Sequence, residues 1–447
     1  MAKLAHAQWS SKMAFVLAAA GSAVGLGNIW RFSYLVGESG GAAFVLVYLA
    51  CVALVGVPIL LSEWMIGRRG QQNPIDSMVK LAKQSGASKS WALVGLSGVL
   101  AGFLILSFYS VIGGWSLNYT LSAVTGVFSG QDADSVSAIF SSMLASPGTL
   151  LFWHTAFMLL VIGIVARGVT KGIESAVRSM MPALVILMLI LVGYGMTTGY
   201  FGETLAFMFS PDWGALDGGV VLAAMGQAFF TLSLGMGIMM AYGSYLGEDV
   251  NLLSTARTVI LIDTSIALLA GLAIFPIVFA NGLSAGEGPG LIFVTLPIAF
   301  GNMTGGVVLG LMFFLLLTFA ALTSAISLLE PTVEMLEERT SLPRLTATMI
   351  SGLAVWLLGV AALLSFNLWS DVLFFGLNIF DLLDTFTAKI LLPLTGLGAV
   401  VFVAWCLQRQ SVEEELALSS TGISIWNIIA RYIAPIGVVL VFVAGFI

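Results

Sequence analysis

Charge is scarce in this chain. Only 9% of its 447 residues are Asp, Glu, Lys or Arg, and cysteine and histidine occur twice each. Cys51 and Cys406 both fall in apolar stretches, so neither a disulfide framework nor a thiolate metal site is indicated. The net charge of −6 has the wrong sign for a nucleic-acid partner, and carboxylates such as Asp132, Asp134 and Glu413 to Glu415 read as solvated loop surface. A nucleophile elbow, a phosphate loop and zinc-ligand spacing are all missing, so no enzyme chemistry and no organic cofactor are expected. Short alternating segments, the mark of a transmembrane barrel, are missing too.

Apolar surface fills the chain instead, at 59% hydrophobic residues. That leaves too little polar surface to solvate a globule of this length, and the chain reads as an integral membrane protein. Apolar stretches of roughly 20 residues, enough to cross about 30 Å of hydrocarbon as helix, recur throughout. The reading is an all-α polytopic membrane protein of about eleven helices near 10–37, 41–69, 89–126, 149–168, 173–200, 217–246, 255–280, 305–338, 345–367, 385–407 and 425–447. Of 17 Lys and Arg residues, 14 fall on the side of the N-terminus, and Arg31, Lys389 and Arg431 lie inside expected helices. The positive-inside rule then predicts a cytoplasmic N-terminus and an extracytoplasmic C-terminus, in what is expected to be a bacterial inner membrane. A removable signal peptide is not expected, because the first apolar stretch is long and contains Asn28 and Arg31.

Two spans break the helical pattern in the same way. Ala-x-Gly-x-Ala followed by Gly-x-Gly occurs as Ala19 to Ala23 with Gly25 and Gly27, and as Ala224 to Ala228 with Gly235 and Gly237. This pairs the first and sixth helices and predicts two inverted five-helix repeats, 10–200 and 217–407, with 425–447 as an extra eleventh helix, all in one transporter domain, 1–447. Small-residue runs also serve close helix packing, but packing does not explain Asn28, Gln227 and Thr231 beside the glycines. A helix interrupted at membrane depth frees carbonyls and N–H groups, tolerated only where they face a polar cavity or a ligand. Freed carbonyls suit a hard cation and freed N–H groups suit a carboxylate.

Four stretches, AGSAVGLGNIWRF in the first span, SFYSVIGGW in the third, GQAFFTLSLGMG in the sixth and FAALTSAISLLEP in the eighth, resemble the neurotransmitter:sodium symporter family, especially its bacterial amino-acid transporter branch. The resemblance implies discontinuous first and sixth helices and two sodium ions. The first would lie among the Ala23 carbonyl, Asn28, Thr231 and Asp263, completed by the substrate carboxylate. The second would lie among the carbonyls of Gly21, Val24 and Ala320 and the hydroxyls of Thr323 and Ser324. It further implies a substrate site in which Leu26 and Gly27 N–H groups and the Tyr109 hydroxyl meet a carboxylate, and Ala23, Phe230, Thr231 and Ser233 meet an amine. Ile105, Tyr109, Phe230, Met236 and Leu328 would surround the side chain, with Ser324 counted in this site as well.

Arg31 and Asp384 match the family's outer gate, and Trp9, Tyr245 and Glu338 its inner gate. His6 stands where an arginine is usual, leaving Lys3 or Lys12 as substitute cations. Glu63 matches a carboxylate that supports the broken helices. Amine-carrying members place an aspartate at the position of Gly25, so this chain's cargo is expected to bring its own carboxylate. Tyr48 and Gln227 match chloride partners, but Ala267 and Asp263 replace the serine and asparagine, which implies chloride independence. Gly172 and Pro182 in the fifth span match an inner release segment. His154, alone on the fourth span, reads as a helix-packing histidine, and Lys389 has no role in this reading.

The implied activity is sodium-coupled import of neutral, mainly hydrophobic L-amino acids by alternating access. The partners are the amino acid and the lipid bilayer, with no nucleic acid; oligomeric state is not legible. A carrier of another small solute on the same scaffold, a ligand-gated channel or a transport-incompetent sensor would fit the same residues.

Overall fold

The computed structural model describes residues 8–285 and 290–444. His6 and Lys3 lie outside the described residues. Among these, nine helices are long and apolar enough to cross a bilayer: Ala42–Gly70, Lys89–Val124, Pro147–Val165, Val169–Gly195, Leu252–Ala280, Gly306–Thr340, Arg344–Leu364, Ile379–Cys406 and Ser420–Val443. A tenth crossing is the pair Lys12–Ala23 and Gly27–Glu38, bent by 50°. The expected sixth span is also present in two pieces, Gly218–Thr231 and Ile238–Ser244, each too short to cross alone.

Local chemistry sets the ends of these helices. The Ser11 hydroxyl accepts from the Ala14 N–H at 3.1 Å and starts the first helix. Asp217 caps the sixth through the Val220 N–H at 2.8 Å, and Asn251 caps the seventh through Ser254 at 2.8 Å. Such caps each contribute about 1 kcal/mol by satisfying N–H groups that have no partner inside the helix.

Some boundaries differ from the sequence reading. The tenth span begins at Ile379 rather than 385, because an Asn378 cap accepting from Asp381 N–H starts a helix across charged residues that hydropathy discounts. The fifth begins at Val169 rather than 173, with a wide π-type turn, Val169–Glu174, that holds Gly172. The sixth is interrupted between Thr231 and Ile238, as the resemblance implied.

The long third and eighth spans pack along one another at the centre. Towards one end an aromatic cluster joins Trp115 and Tyr119 of the third span to Phe293 and Phe314, with ring centroids 5.1 to 5.6 Å apart for Trp115 on Phe293 and Tyr119 on Phe293 and Phe314. Tyr119 also donates its hydroxyl to the Phe293 carbonyl at 2.9 Å. Large rings in edge-to-face contact give this centre its rigidity. The two broken helices lie against it.

Candidate functional site

The first break follows directly from residue type. Ala23 ends the helix, Val24 is extended at φ −75°, ψ 97°, and a π-type turn, Gly27–Arg31, resumes the path. The interrupted backbone is answered from nearby: Asn28 Oδ1 accepts from Gly25 N–H at 3.1 Å, and the Tyr109 hydroxyl accepts from Leu26 N–H at 3.4 Å. In the sixth span Ser233, Gly235 and Gly237 all have positive φ, at 53°, 75° and 71°. Glycine enters that region without steric cost; serine does so under strain. Glu63, from the second span, accepts from the Gly235 N–H at 2.7 Å, which gives the expected supporting carboxylate a concrete contact.

The two breaks face one cavity. It is lined by Ser22, Ala23, Gly25, Gly27, Ile105, Tyr109, Phe230, Ser233, Met236, Ile238, Ser324 and Leu328. Most of these are in the expected substrate set; Leu26 and Thr231 stand just behind the lining. Ser22, Gly25 and Ile238 are additions. The Ser22 carbonyl accepts from both Ser233 Oγ at 2.9 Å and Ser324 Oγ at 3.1 Å, so the first, sixth and eighth spans meet on one oxygen. Glycine at 27 leaves room for Phe230, whose ring carbon would lie 2.8 Å from any added Cβ. Among the described residues no carboxylate lines the cavity.

A polar knot lies behind it. The Asn28 amide nitrogen donates to Thr231 Oγ1 at 2.9 Å, to Asp263 Oδ1 at 2.7 Å and to the Asp263 carbonyl at 3.2 Å. Thr231 also donates to the Asp263 carboxylate at 3.1 Å. Asn28, Thr231 and Asp263 are fully buried. The donor set is all oxygen apart from the Asn28 amide nitrogen, and turning that amide would present its oxygen, so the set fits a hard cation such as sodium. Nearby, Gln227 donates to the Gly27 carbonyl at 2.8 Å, while the buried Tyr48 hydroxyl faces Thr231, Thr264 and Asp263.

The second expected ion set is brought together in part. Thr323 Oγ1 lies 3.4 Å from the Val24 carbonyl and 3.0 Å from that of Ala320, and Ser324 is beside them. The Gly21 backbone packs against Val177 and Met181 of the fifth span. These oxygens, too, suit a hard ion.

At one end of the cavity the Arg31 guanidinium lies over the Phe230 ring, 5.0 Å from its centroid, and donates to the Gly226 carbonyl at 3.4 Å. Asp384 is exposed, and no ion pair joins it to Arg31 among the described residues, although each lies in the other's field. At the opposite end Trp9 packs edge-on against Tyr242 and Tyr245, and its indole donates to the Tyr242 carbonyl at 3.0 Å. The Tyr245 hydroxyl donates to Glu330 at 2.8 Å, and Glu330 is paired with Arg344. Glu338 instead accepts from both the backbone and side-chain nitrogens of Asn73 at 2.7 Å. Sequence reasoning missed Glu330 and Arg344; the signal was a carboxylate inside the eighth span, which needs a partner at that depth.

His154 is buried against Trp356, whose carbonyl lies 3.2 Å from Nε2. Lys389 is exposed within a π-type turn.

Two helices broken at mid-bundle around a shared cavity, inside an all-helical membrane protein, define the architecture of secondary transporters. Residues 6–137 and 133–447 match the sodium:neurotransmitter symporter family. The chain belongs to that family, and is a transporter rather than an enzyme. It is 39% identical to the uncharacterized sodium-dependent transporter YhdH of Bacillus subtilis over 97% of this chain and 96% of that protein. It is 35% identical to an uncharacterized sodium-dependent transporter of Haemophilus influenzae over 98% of this chain and 97% of that protein. Among solved structures, the crystal structure of MhsT in complex with L-phenylalanine matches with a TM-score of 0.91 and 47% identity, covering 98% of this chain and all of that one.

Proposed function

We propose that this protein is a sodium-coupled symporter that imports neutral, mainly hydrophobic L-amino acids by alternating access. The observation that carries this reading is the cavity itself: apolar walls from Ile105, Phe230, Met236 and Leu328, polar backbone at both helix breaks, and no carboxylate in the lining. A zwitterion with an apolar side chain fits that combination, and a free amine would find no fixed anion to pair with. The similarity to MhsT, whose structure contains L-phenylalanine, supports the same class of cargo. Met236 is unbranched and adapts to different side chains, which favours a range of aliphatic and aromatic substrates over a single one.

In this reading sodium is a coupled substrate at two places. Asn28, Thr231, Asp263 and the Ala23 carbonyl hold one ion together with the amino-acid carboxylate. Gly21, Val24, Ala320, Thr323 and Ser324 hold the other. Residues 10–200 and 217–407 act as inverted five-helix repeats, with 425–447 as an added helix. The distribution of basic residues supports a cytoplasmic N-terminus and Trp9 end. The Arg31 and Asp384 end then faces out, where the pair closes over Phe230 and Tyr109, and opening at Trp9, Tyr245 and Glu338 releases cargo.

Purified protein in liposomes tests this. Uptake of labelled leucine or phenylalanine against its gradient, driven by inward sodium and abolished when choline replaces it, is the expected result. A channel would equilibrate the solute without concentrating it, and a sensor would move none; either outcome overturns the reading.

A further inference from the structure

The connection between the ninth and tenth spans does not look like a water-facing loop. Residues 368–376 are all exposed, and they include Leu368, Trp369, Val372, Leu373, Phe374 and Phe375. Phe375 is 98% exposed, more than any other large apolar side chain among the described residues. Asp371 is the single charge between Leu364 and Ile379, and no lysine or arginine occurs between Arg344 and Lys389. An apolar patch this continuous marks an interaction surface rather than scattered surface hydrophobes.

The backbone adds a second, independent observation. Phe374 and Leu377 exchange N–H to carbonyl bonds at 2.8 and 3.0 Å, forming a small hairpin. Trp369 N–H reaches the Leu364 carbonyl at 2.8 Å, Val372 N–H the Trp369 carbonyl at 3.0 Å, and the Asn367 side chain anchors the base on the Leu144 carbonyl at 2.8 Å. The turn at the tip places Phe375 at φ +54°, a left-handed conformation that is costly for a bulky residue, with Gly376 at +82° beside it. Strain at a residue whose ring touches nothing in its own chain calls for a gain outside the chain.

The surroundings say what supplies it. Leu345, Met349, Ile350, Leu353 and Leu357 form an exposed apolar stripe along the ninth span, and Phe386 and Leu394 are exposed on the tenth. These face lipid by the nature of a membrane span, and the hairpin lies where those two spans end. A partly paired backbone and aromatic side chains are what the headgroup boundary, where water is still present, accepts.

We propose that the hairpin over residues 366–378 is a membrane-interface anchor, with Leu368, Trp369, Leu373, Phe374 and Phe375 seated in the headgroup and upper acyl region of the adjoining leaflet. The tenth span carries Asp384 one turn and a half beyond the hairpin's base, so the anchor fixes to lipid the end of the helix that bears a gate residue.

The test uses the full chain in liposomes of phosphatidylethanolamine and phosphatidylglycerol. Nitroxides are placed at Leu373→Cys and Phe375→Cys after Cys51 and Cys406 are replaced by alanine, and collision with oxygen is compared with collision with a water-soluble nickel chelate. Leu357→Cys serves as the lipid reference and Asp134→Cys as the aqueous one. Labels on the hairpin should favour oxygen several-fold over the Asp134 label and approach the Leu357 label. A ratio matching Asp134, or spin–spin broadening that vanishes on dilution with unlabelled protein and so reveals a second copy on the hairpin, overturns the proposal. Unmodified protein gives an independent readout: a phospholipid with a photoreactive headgroup-proximal diazirine should leave adducts on residues 368–375. Adducts on the spans but none on the hairpin would overturn it equally.

Discussion

Ser233 and Ser22 are joined across the two broken helices, the hydroxyl of the first donating to the carbonyl of the second at 2.9 Å. Because the helix ends at Ala23, that carbonyl has lost its own helical donor, and the Leu26 N–H that would have served it turns to Tyr109 instead. Ser324 supplies a second bond to the same oxygen at 3.1 Å. One donor is enough to satisfy a buried carbonyl. Ser233→Ala or Ser324→Ala alone should therefore cost little in thermal stability, whereas the double substitution should cost about 1–3 kcal/mol beyond their sum, the penalty of an orphaned acceptor. Melting of the detergent-solubilised single and double variants measures this; strict additivity would show that the carbonyl is served by something else.

The Gly25 position should set the chemical class of cargo. A Cβ there would strike the Ser324 hydroxyl and come within 3.2 Å of the Tyr109 hydroxyl, so even alanine is crowded. An aspartate adds a fixed negative charge beside the proposed carboxylate. Like charges about 4 Å apart at an effective dielectric of about 20 repel by about 4 kcal/mol, roughly a thousandfold in affinity. Scintillation-proximity binding of leucine to Gly25→Asp should fall below detection, with Gly25→Ala intermediate. Unchanged leucine affinity in the aspartate variant would contradict the pose.

How much of this was legible in the sequence depends on whether the chemistry lies in residue type or in backbone path. The first break was readable because glycines, an amide and a charge stand together in an apolar run, and each is costly there without a purpose. The start of the tenth span was not, since Asp381 and Asp384 depress hydropathy although Asn378 caps a helix across them. Ser22 escaped notice for a different reason: its carbonyl matters and its side chain does not identify it. Likewise nothing in the letter S announces the left-handed backbone of Ser233. Glu330 stood in a quoted motif, but its partner Arg344 follows a turn and comes back to it only in three dimensions.

The fifth span should govern release more than binding. Pro182 lies within the helix and removes one backbone hydrogen bond, and the turn holding Gly172 is already wide. A Cβ on Gly172 would run into the Ile164 carbonyl, so that turn accepts only glycine. Pro182→Ala restores the missing bond and should slow sodium-driven uptake several-fold while leaving equilibrium leucine binding near wild type. Equal losses in both assays would mean that the substitution disturbs folding instead.

Acid should weaken the contact between the Pro74–Gln84 helix and the end of the eighth span. Arg339 beside Asp76, bonded at 2.6 and 3.1 Å, holds its carboxyl below the ordinary carboxylate range, helped by Asn73 at 2.7 Å. A pKa lower in the folded state means stability that is complete above the unfolded value of about 3.9 and lost as pH falls through the folded one. The pair is partly exposed, so the contribution is at most about 1 kcal/mol. Melting temperature plotted against pH should show a shallower acid limb in Asp76→Asn than in wild type, with the two converging at the lowest pH; parallel curves would remove Asp76 from the acid response.

Chloride should be dispensable, and Asp263 is the reason. Its carboxylate is fully buried, contacted by Asn28 at 2.7 Å and Thr231 at 3.1 Å, and those are neutral donors. A buried carboxylate surrounded by neutral groups is stable only with a compensating cation close by, which the proposed first sodium supplies. The charge balance is then complete within the chain and needs no external anion. Ala267, one turn along the same helix, offers no hydroxyl to hold one, although the Tyr48 phenol stands beside Asp263 and Gln227 lies nearby with its amide oxygen unbonded. Leucine uptake should therefore persist when gluconate replaces chloride at constant sodium. Asp263→Asn removes the fixed charge and should reduce sodium-driven uptake at least about tenfold, a loss of roughly 1.4 kcal/mol or more in coupling free energy. Adding Ala267→Ser to that variant supplies the missing hydroxyl beside Tyr48 and should return uptake in chloride but not in gluconate. Wild-type uptake that collapses in gluconate would show that Asp263 does not carry the balancing charge.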